Sequence, residues 1–256
     1  MKAKLQQNGL SIPKIALTTV LCLFSILSVI YVKQTTNATF SYFYCLASVL
    51  FVLLPLALTL LFKWRLNIIF YTFFSAYTLG PILGAVYNFY YLTTWWDDLL
   101  HLMAGTVFAV VGAYFAVALS KEQKISPMLS AFFGVLFSMG IALLWEFFEF
   151  GSDVLLHSDM QADTVINTLI TKINQADGSV EIIENIADTA VNGESLGVNG
   201  YIDIGLIDTM SDMLVETLGA LLYLAYALID RNRHPLISRF DRSKKSTKQA
   251  HSNDTV

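Results

Sequence analysis

Three short stretches hold the side chains best able to do chemistry: WWDDLLHLMAG from Trp95 to Gly105, WEFFEFGSD from Trp145 to Asp153, and DTMSDMLVE from Asp208 to Glu216. Grouped carboxylates bind hard divalent cations or exchange protons, and an imidazole beside them serves as a ligand or a general base. The spacing favours one face in each stretch if all three are helical. At 100° per residue, His101 falls between Asp97 and Asp98 within about 100°, while Glu146, Glu149 and Asp153 share about 60° and Asp208, Asp212 and Glu216 about 80°.

The elements that must carry these stripes are membrane spans. Of the 256 residues 55% are hydrophobic and only 14% charged, with a mean hydropathy of +0.57, whereas an average soluble domain carries roughly 25% charge. Six apolar segments approach the roughly 20 residues that cross a bilayer: 15–32, 40–62, 67–91, 97–119, 128–150 and 208–229. The first is too long for a signal-peptide core and no small-residue cleavage site follows it, so it reads as a retained span. Gly80-Pro81 and Gly84 predict a kinked, closely packed third span. Cys22 and Cys45 lie within apolar runs, where a thiol packs as a small hydrophobe. The expected fold is all-α: a polytopic bundle of six transmembrane helices with one long extracytoplasmic loop.

Lys and Arg set the orientation, because short cytoplasmic loops retain positive charge. Fourteen of the sixteen fall on one side: Lys2, Lys4, Lys14, Lys63, Arg65, Lys121, Lys124 and seven in the tail from Arg231 to Lys248. Lys33 and Lys172 fall on the other. This pattern places both termini in the cytoplasm, with residues 1–14 as a short N-terminus, 15–230 as the membrane domain and 231–256 as a basic, unstructured tail. Tyr87, Tyr90, Tyr91, Trp95 and Trp96 form the expected outer aromatic belt, with Trp64 its inner counterpart. Asn37-Ala38-Thr39 matches a glycosylation sequon of little weight.

With this topology the acids converge at the outer ends of spans four, five and six, and Glu216 lies roughly 12 Å deeper than Asp208. An acid at mid-span costs about 2.5–3.5 kcal/mol, and neighbouring carboxylates repel. No Lys or Arg lies in the outer halves of these helices, so protonation, water or a bound cation must compensate. Asp97, Asp98 and Asp208 can alternatively serve as favourable charges at helix N-termini. Glu146 and Glu149 sit at a predicted helix C-terminus, the unfavourable end for an anion, and Asp212 and Glu216 are too deep for capping. The reading assigns Asp98, Glu149, Asp208 and Asp212 as metal ligands and His101 or Glu146 as base. The ligand set suits Mg²⁺, Mn²⁺ or Ca²⁺, with Zn²⁺ admitted if His101 coordinates.

The outer loop, 151–205, carries nine acids against one lysine. Thr164–Ile173 and Val180–Val191 read as short amphipathic helices, with turns at Asn192-Gly193, Gly197 and Asn199-Gly200. The loop is long enough to cover the acidic mouth as a lid, or it is a solvated spacer.

Asp98 to His101, Glu146 to Glu149 and Asp208 to Asp212 together resemble the YjdF-type family of bacterial inner-membrane proteins over roughly residues 70–230, and more distantly VanZ-like proteins. The resemblance implies a multi-pass protein of the bacterial inner membrane and supplies no settled reaction. Three activities stay open. A cation could activate water against a lipid or lipid-linked envelope substrate. Alternatively the mouth could admit a cation or proton for transport, although the sixth span below Glu216 reads TLGALLYLAYALI and is nearly dry. In the third, a non-catalytic envelope accessory protein uses the cation to staple helices. The expected partner is the lipid bilayer, with no nucleic acid; protein partners are not specified by the sequence.

Overall fold

The computed structural model describes residues 10–35, 39–62, 64, 66–120, 125–173 and 175–229, the side chains of residues 39 and 40 excepted. Asn37 of the sequon, the loop cations Lys63, Arg65, Lys121 and Lys124, and the basic tail lie outside the described residues. The helices are α1 (Ile12–Thr35), α2 (Thr39–Leu61), α3 (Ile68–Tyr77), α4 (Gly80–Ala85), α5 (Phe89–Leu92), α6 (Trp96–Leu119), α7 (Pro127–Leu156) and α8 (Leu206–Ile229). Among the described residues, six stretches are long and apolar enough to cross a membrane: Ile12–Thr35, Ser41–Leu61, Ile68–Ala85, Trp96–Leu119, Pro127–Leu156 and Leu206–Ile229. The fold is thus the expected six-span helical one.

Burial in α1 is inverted relative to a soluble helix. Its buried residues are Lys14, Thr18, Ser25, Ser28 and Val32, while Val20, Leu23, Ile26, Leu27 and Ile30 are exposed. Lipid tails are as apolar as leucine, so apolar burial does not drive helices together there, and small residues and hydrogen bonds do. The hydroxyls of Ser25 and Ser48 pair at 2.8 Å, Thr18 and Tyr71 at 2.6 Å, and Ser28 and Tyr87 at 3.0 Å.

The chain divides into two compact units, Met1–Met139 with Val215–Val256, and Gly140–Leu214. In the first unit glycines set the closest approaches. A Cβ on Gly105 would collide with the Glu216 carbonyl, one on Gly219 with the Leu102 carbonyl, and one on Gly134 with the Ala109 carbonyl. Backbones this near leave no room for any side chain.

Three sequence expectations change in this unit. The third span is broken rather than kinked: α3 ends at Tyr77 and α4 restarts at Gly80, with Pro81 in its first turn, where a missing amide costs nothing. Trp64 is fully buried rather than at an interface, with the rings of Phe62, Tyr114 and Phe115 at 4.9–5.4 Å. Tyr87 likewise leaves the belt, stacking on Phe24 at 5.6 Å and Tyr31 at 5.0 Å, whereas Tyr91 and Trp95 stay exposed. Lys14 is also drawn inward, donating to the Leu66 carbonyl at 2.6 Å with its ammonium 5.4 Å from the Tyr71 ring centre.

The second unit contains the end of α7, the start of α8 and the segment between them. That segment forms strands and not the expected amphipathic helices: β1 (Thr164–Ile166), β2 (Thr168–Thr171), β3 (Glu181–Glu184), β4 (Ala190–Val191), β5 (Glu194–Ser195) and β6 (Tyr201–Asp203). They pair as three antiparallel ribbons, β1 with β6, β2 with β3, and β4 with β5. The physical reason is the β-branched content of TVINTLIT and EIIE together with exposure that alternates with period two along β2 and β3. Asn192 and Gly193, at φ 54° and 85°, make the two-residue turn between β4 and β5, a position that asparagine and glycine tolerate.

Candidate functional site

In the second unit, α7 buries Ala142, Glu146, Glu149 and Ser152 while Leu143, Leu144, Phe147, Phe148 and Phe150 are exposed. Spacings of three and four residues make that one helical stripe, so both glutamates lie on the inward face. The helix continues to Leu156, which puts Glu149 seven residues and Glu146 ten residues before its end. The expectation that these acids sit at a C-terminus is thereby corrected: they lie beyond the reach of the helix-end charge, which fades within one turn.

Asp212 of α8 joins them. Oxygens of Glu146, Glu149 and Asp212 all lie within 4.8 Å of one another, and the residues are 4%, 6% and 3% exposed. The Trp145 indole nitrogen donates to Glu149 Oε1 at 2.8 Å, orienting that carboxylate. Among the described residues, Glu146 Oε2 is buried without a hydrogen-bond partner. The trio contains only hard oxygen donors, and the only Lys or Arg between residues 140 and 214 is Lys172, which is exposed.

One turn along each helix from Glu149 and Asp212, the chain is tied by a second set of acids. Asp153 accepts from the Ser158 hydroxyl and the Met160 amide at 2.7 Å each, and from the Gln161 amide at 2.9 Å. Asp208 accepts from the Ala162 amide at 2.8 Å. The first turn of α8 is capped by Asp203, which accepts from the Ile207 amide at 2.6 Å. Gly205 is required twice over, by a φ of 84° and because a Cβ there would press on Gln161.

In the first unit His101 is 6% exposed. Its Nε2 lies 3.7 Å from Asp97 and its Nδ1 3.7 Å from Glu216. Ser138 on α7 donates towards Glu216 Oε1 at 3.3 Å and the Gly105 carbonyl at 3.1 Å. This set has an imidazole able to carry positive charge between two carboxylates.

Of the residues singled out from sequence, Glu146, Glu149 and Asp212 come together. Asp98 is exposed, and its neighbour Asp97 takes the contact with His101. Asp208 sits one turn from Asp212 and is engaged with a backbone amide. Trp145, Ser138, Gln161 and Asp203 were not legible as site residues, although Trp145 stands four residues before Glu149, the spacing at which helical side chains meet.

Outside the spanning segments, acids of the β-ribbons have shifted proton affinities. The Ser195 hydroxyl, and after it the Val198 amide, holds the Asp188 carboxyl below the usual range. The Ser179 hydroxyl and amide do the same for Asp177. Burial, then Asp163 and Asp153 nearby, pushes Asp159 up.

A family described as "Predicted membrane protein (DUF2238)" matches residues 14–172. The matched stretch includes the histidine and paired-glutamate motifs and ends before the DTMSD stretch. No curated protein and no solved structure matches the chain. The family match, over more than half the chain, agrees with the YjdF-type resemblance of the same motifs, and the protein belongs to this family of membrane proteins.

Proposed function

We propose that the protein is a divalent-cation site held in the bacterial inner membrane, with Glu146, Glu149 and Asp212 as the ligands. The observation that carries this reading is three carboxylates, each at least 94% buried, with oxygens within 4.8 Å of one another and one Glu146 oxygen lacking a hydrogen-bond partner among the described residues. Burying several like charges together is strongly unfavourable unless something compensates them. A divalent ion compensates two of the three charges and takes up the open oxygen. All-oxygen coordination with no imidazole or thiolate in the trio favours Mg²⁺, Mn²⁺ or Ca²⁺ over Zn²⁺.

The distribution of Lys and Arg supports cytoplasmic termini, which puts the site towards the extracytoplasmic side. Three protein ligands leave coordination positions for water and a substrate oxygen, as hydrolytic metal sites do. The reading therefore extends to hydrolysis of a lipid or lipid-linked envelope substrate, the ion offsetting the repulsion between an acidic site and a phosphate.

The test is metal analysis of the detergent-purified protein beside Glu146→Gln and Asp212→Asn. About one divalent ion per chain, lost in both variants, is the expected result. An ion-free wild type whose thermal stability is indifferent to Mg²⁺, Mn²⁺ and Ca²⁺ would overturn the reading.

A further inference from the structure

The acids that the cation reading leaves over are placed in register with the proposed ligands. Asp153 follows Glu149 by four residues on α7, and Asp208 precedes Asp212 by four on α8. Each therefore stands one turn, about 6 Å, from a ligand on the same side of its helix. Both oxygens of Asp153 accept hydrogen bonds from the segment Ser158–Gln161, and Asp208 accepts from Ala162. Gln161 closes the set, its side-chain amide donating to the Thr209 hydroxyl at 2.6 Å. Residues 158–162 are thus strung between α7 and α8 as a strap. Its donors are backbone amides, a hydroxyl and a side-chain amide, and its main acceptors are carboxylates.

We propose that this strap and the cation are coupled, each raising the affinity of the other; the inference rests on the cation reading above. Carboxylates from two helices repel when no ion separates them, and that repulsion pushes α7 and α8 apart one turn below the strap. The strap holds the two helices against this repulsion and so lowers the cost of assembling the ligand set. Conversely, an ion removes the load on the strap and slows its opening. Linkage requires the two effects to be equal in size. Through the strap, the presence of the ion is felt by the chain that leads directly into β1.

The experiment is hydrogen–deuterium exchange on the full-length protein in nanodiscs, with EDTA or with saturating Mn²⁺, reading the amides of Met160, Gln161 and Ala162. Those amides are expected to exchange about tenfold more slowly with Mn²⁺, within the usual range of coupling between sites. Asp153→Asn is expected to weaken Mn²⁺ binding by a similar factor. Exchange that is unchanged while Mn²⁺ binds stoichiometrically overturns the coupling and leaves the cation reading standing. Slowing that persists in Glu146→Gln also overturns it, because the ion then acts from elsewhere. If no Mn²⁺ binds, the coupling and the cation reading fall together.

Discussion

His101 with Asp97, Glu216 and Ser138 in one unit, and Glu146, Glu149 and Asp212 in the other, are both buried sets of acids, yet they balance charge differently. The first contains its own potential cation, an imidazole 3.7 Å from each of two carboxylates, and a hydroxyl donor on Glu216. The second contains three carboxylates and one indole donor. A proton suffices to bring the first near balance. The cation reading proposed above rests on this difference: it takes the trio for the ion and leaves proton exchange to the histidine set.

The sharpest way to break the comparison is to exchange the losses. Glu146→Gln should abolish divalent-ion binding, while His101→Phe should leave the ion stoichiometry intact and lower thermal stability in detergent, by on the order of 3 kcal/mol for a buried set. His101→Phe combined with Glu216→Gln should recover part of that loss, because the carboxylate left behind is neutralised. Metal analysis and thermal melts of the three variants read this; ion loss in His101→Phe would break the comparison.

Trp145→Phe keeps the ring and removes the donor to Glu149 Oε1. Ligand-orienting partners typically contribute 10–100-fold to metal affinity. A Mn²⁺ titration should show a loss of at least tenfold with Trp145→Phe, and an unchanged affinity would mean that the indole does not orient a ligand.

Gly105→Ala attacks the other set. The added Cβ meets the Glu216 carbonyl, so α6 must shift beside the helix turn that carries Glu216. Overpacking of this kind costs about 1–3 kcal/mol, measurable as a lower melting temperature, with ion stoichiometry preserved.

The smallest expected effect lies in the β-ribbons and serves as a control outside both sets. Asp188 has a depressed proton affinity in the folded chain, so its contribution is present above the unfolded value of about 4 and disappears as pH falls through the folded value. Amide exchange in β4 and β5 should therefore quicken only below about pH 4 and should not respond to Mn²⁺.

Much of the fold was legible because it depends on local composition. Continuous apolar runs matched to the bilayer give the spans, and the Gly80-Pro81 pair marks the interruption of the third. The ribbons between Thr164 and Asp203 differ from the expected helices because short β-branched runs satisfy helical and strand periods almost equally, and pairing decides between them. β2 finds β3 across the intervening turn, with Ile170 opposite Ile182, a cross-strand contact that a helix could not make.

The sequence by itself determined that acids would gather on one face of each of three helices, since 100° per residue and the cost of lipid exposure leave little choice. Only the tertiary structure decided that Asp97 rather than Asp98 meets His101, that Asp212 joins Glu146 and Glu149, and that Asp208 is spent on the Ala162 amide. Adjacent residues differ by 100° in direction and residues four apart by one turn in height. Which of them reaches a given partner is therefore set by what other elements bring alongside, a quantity that no stretch of sequence contains.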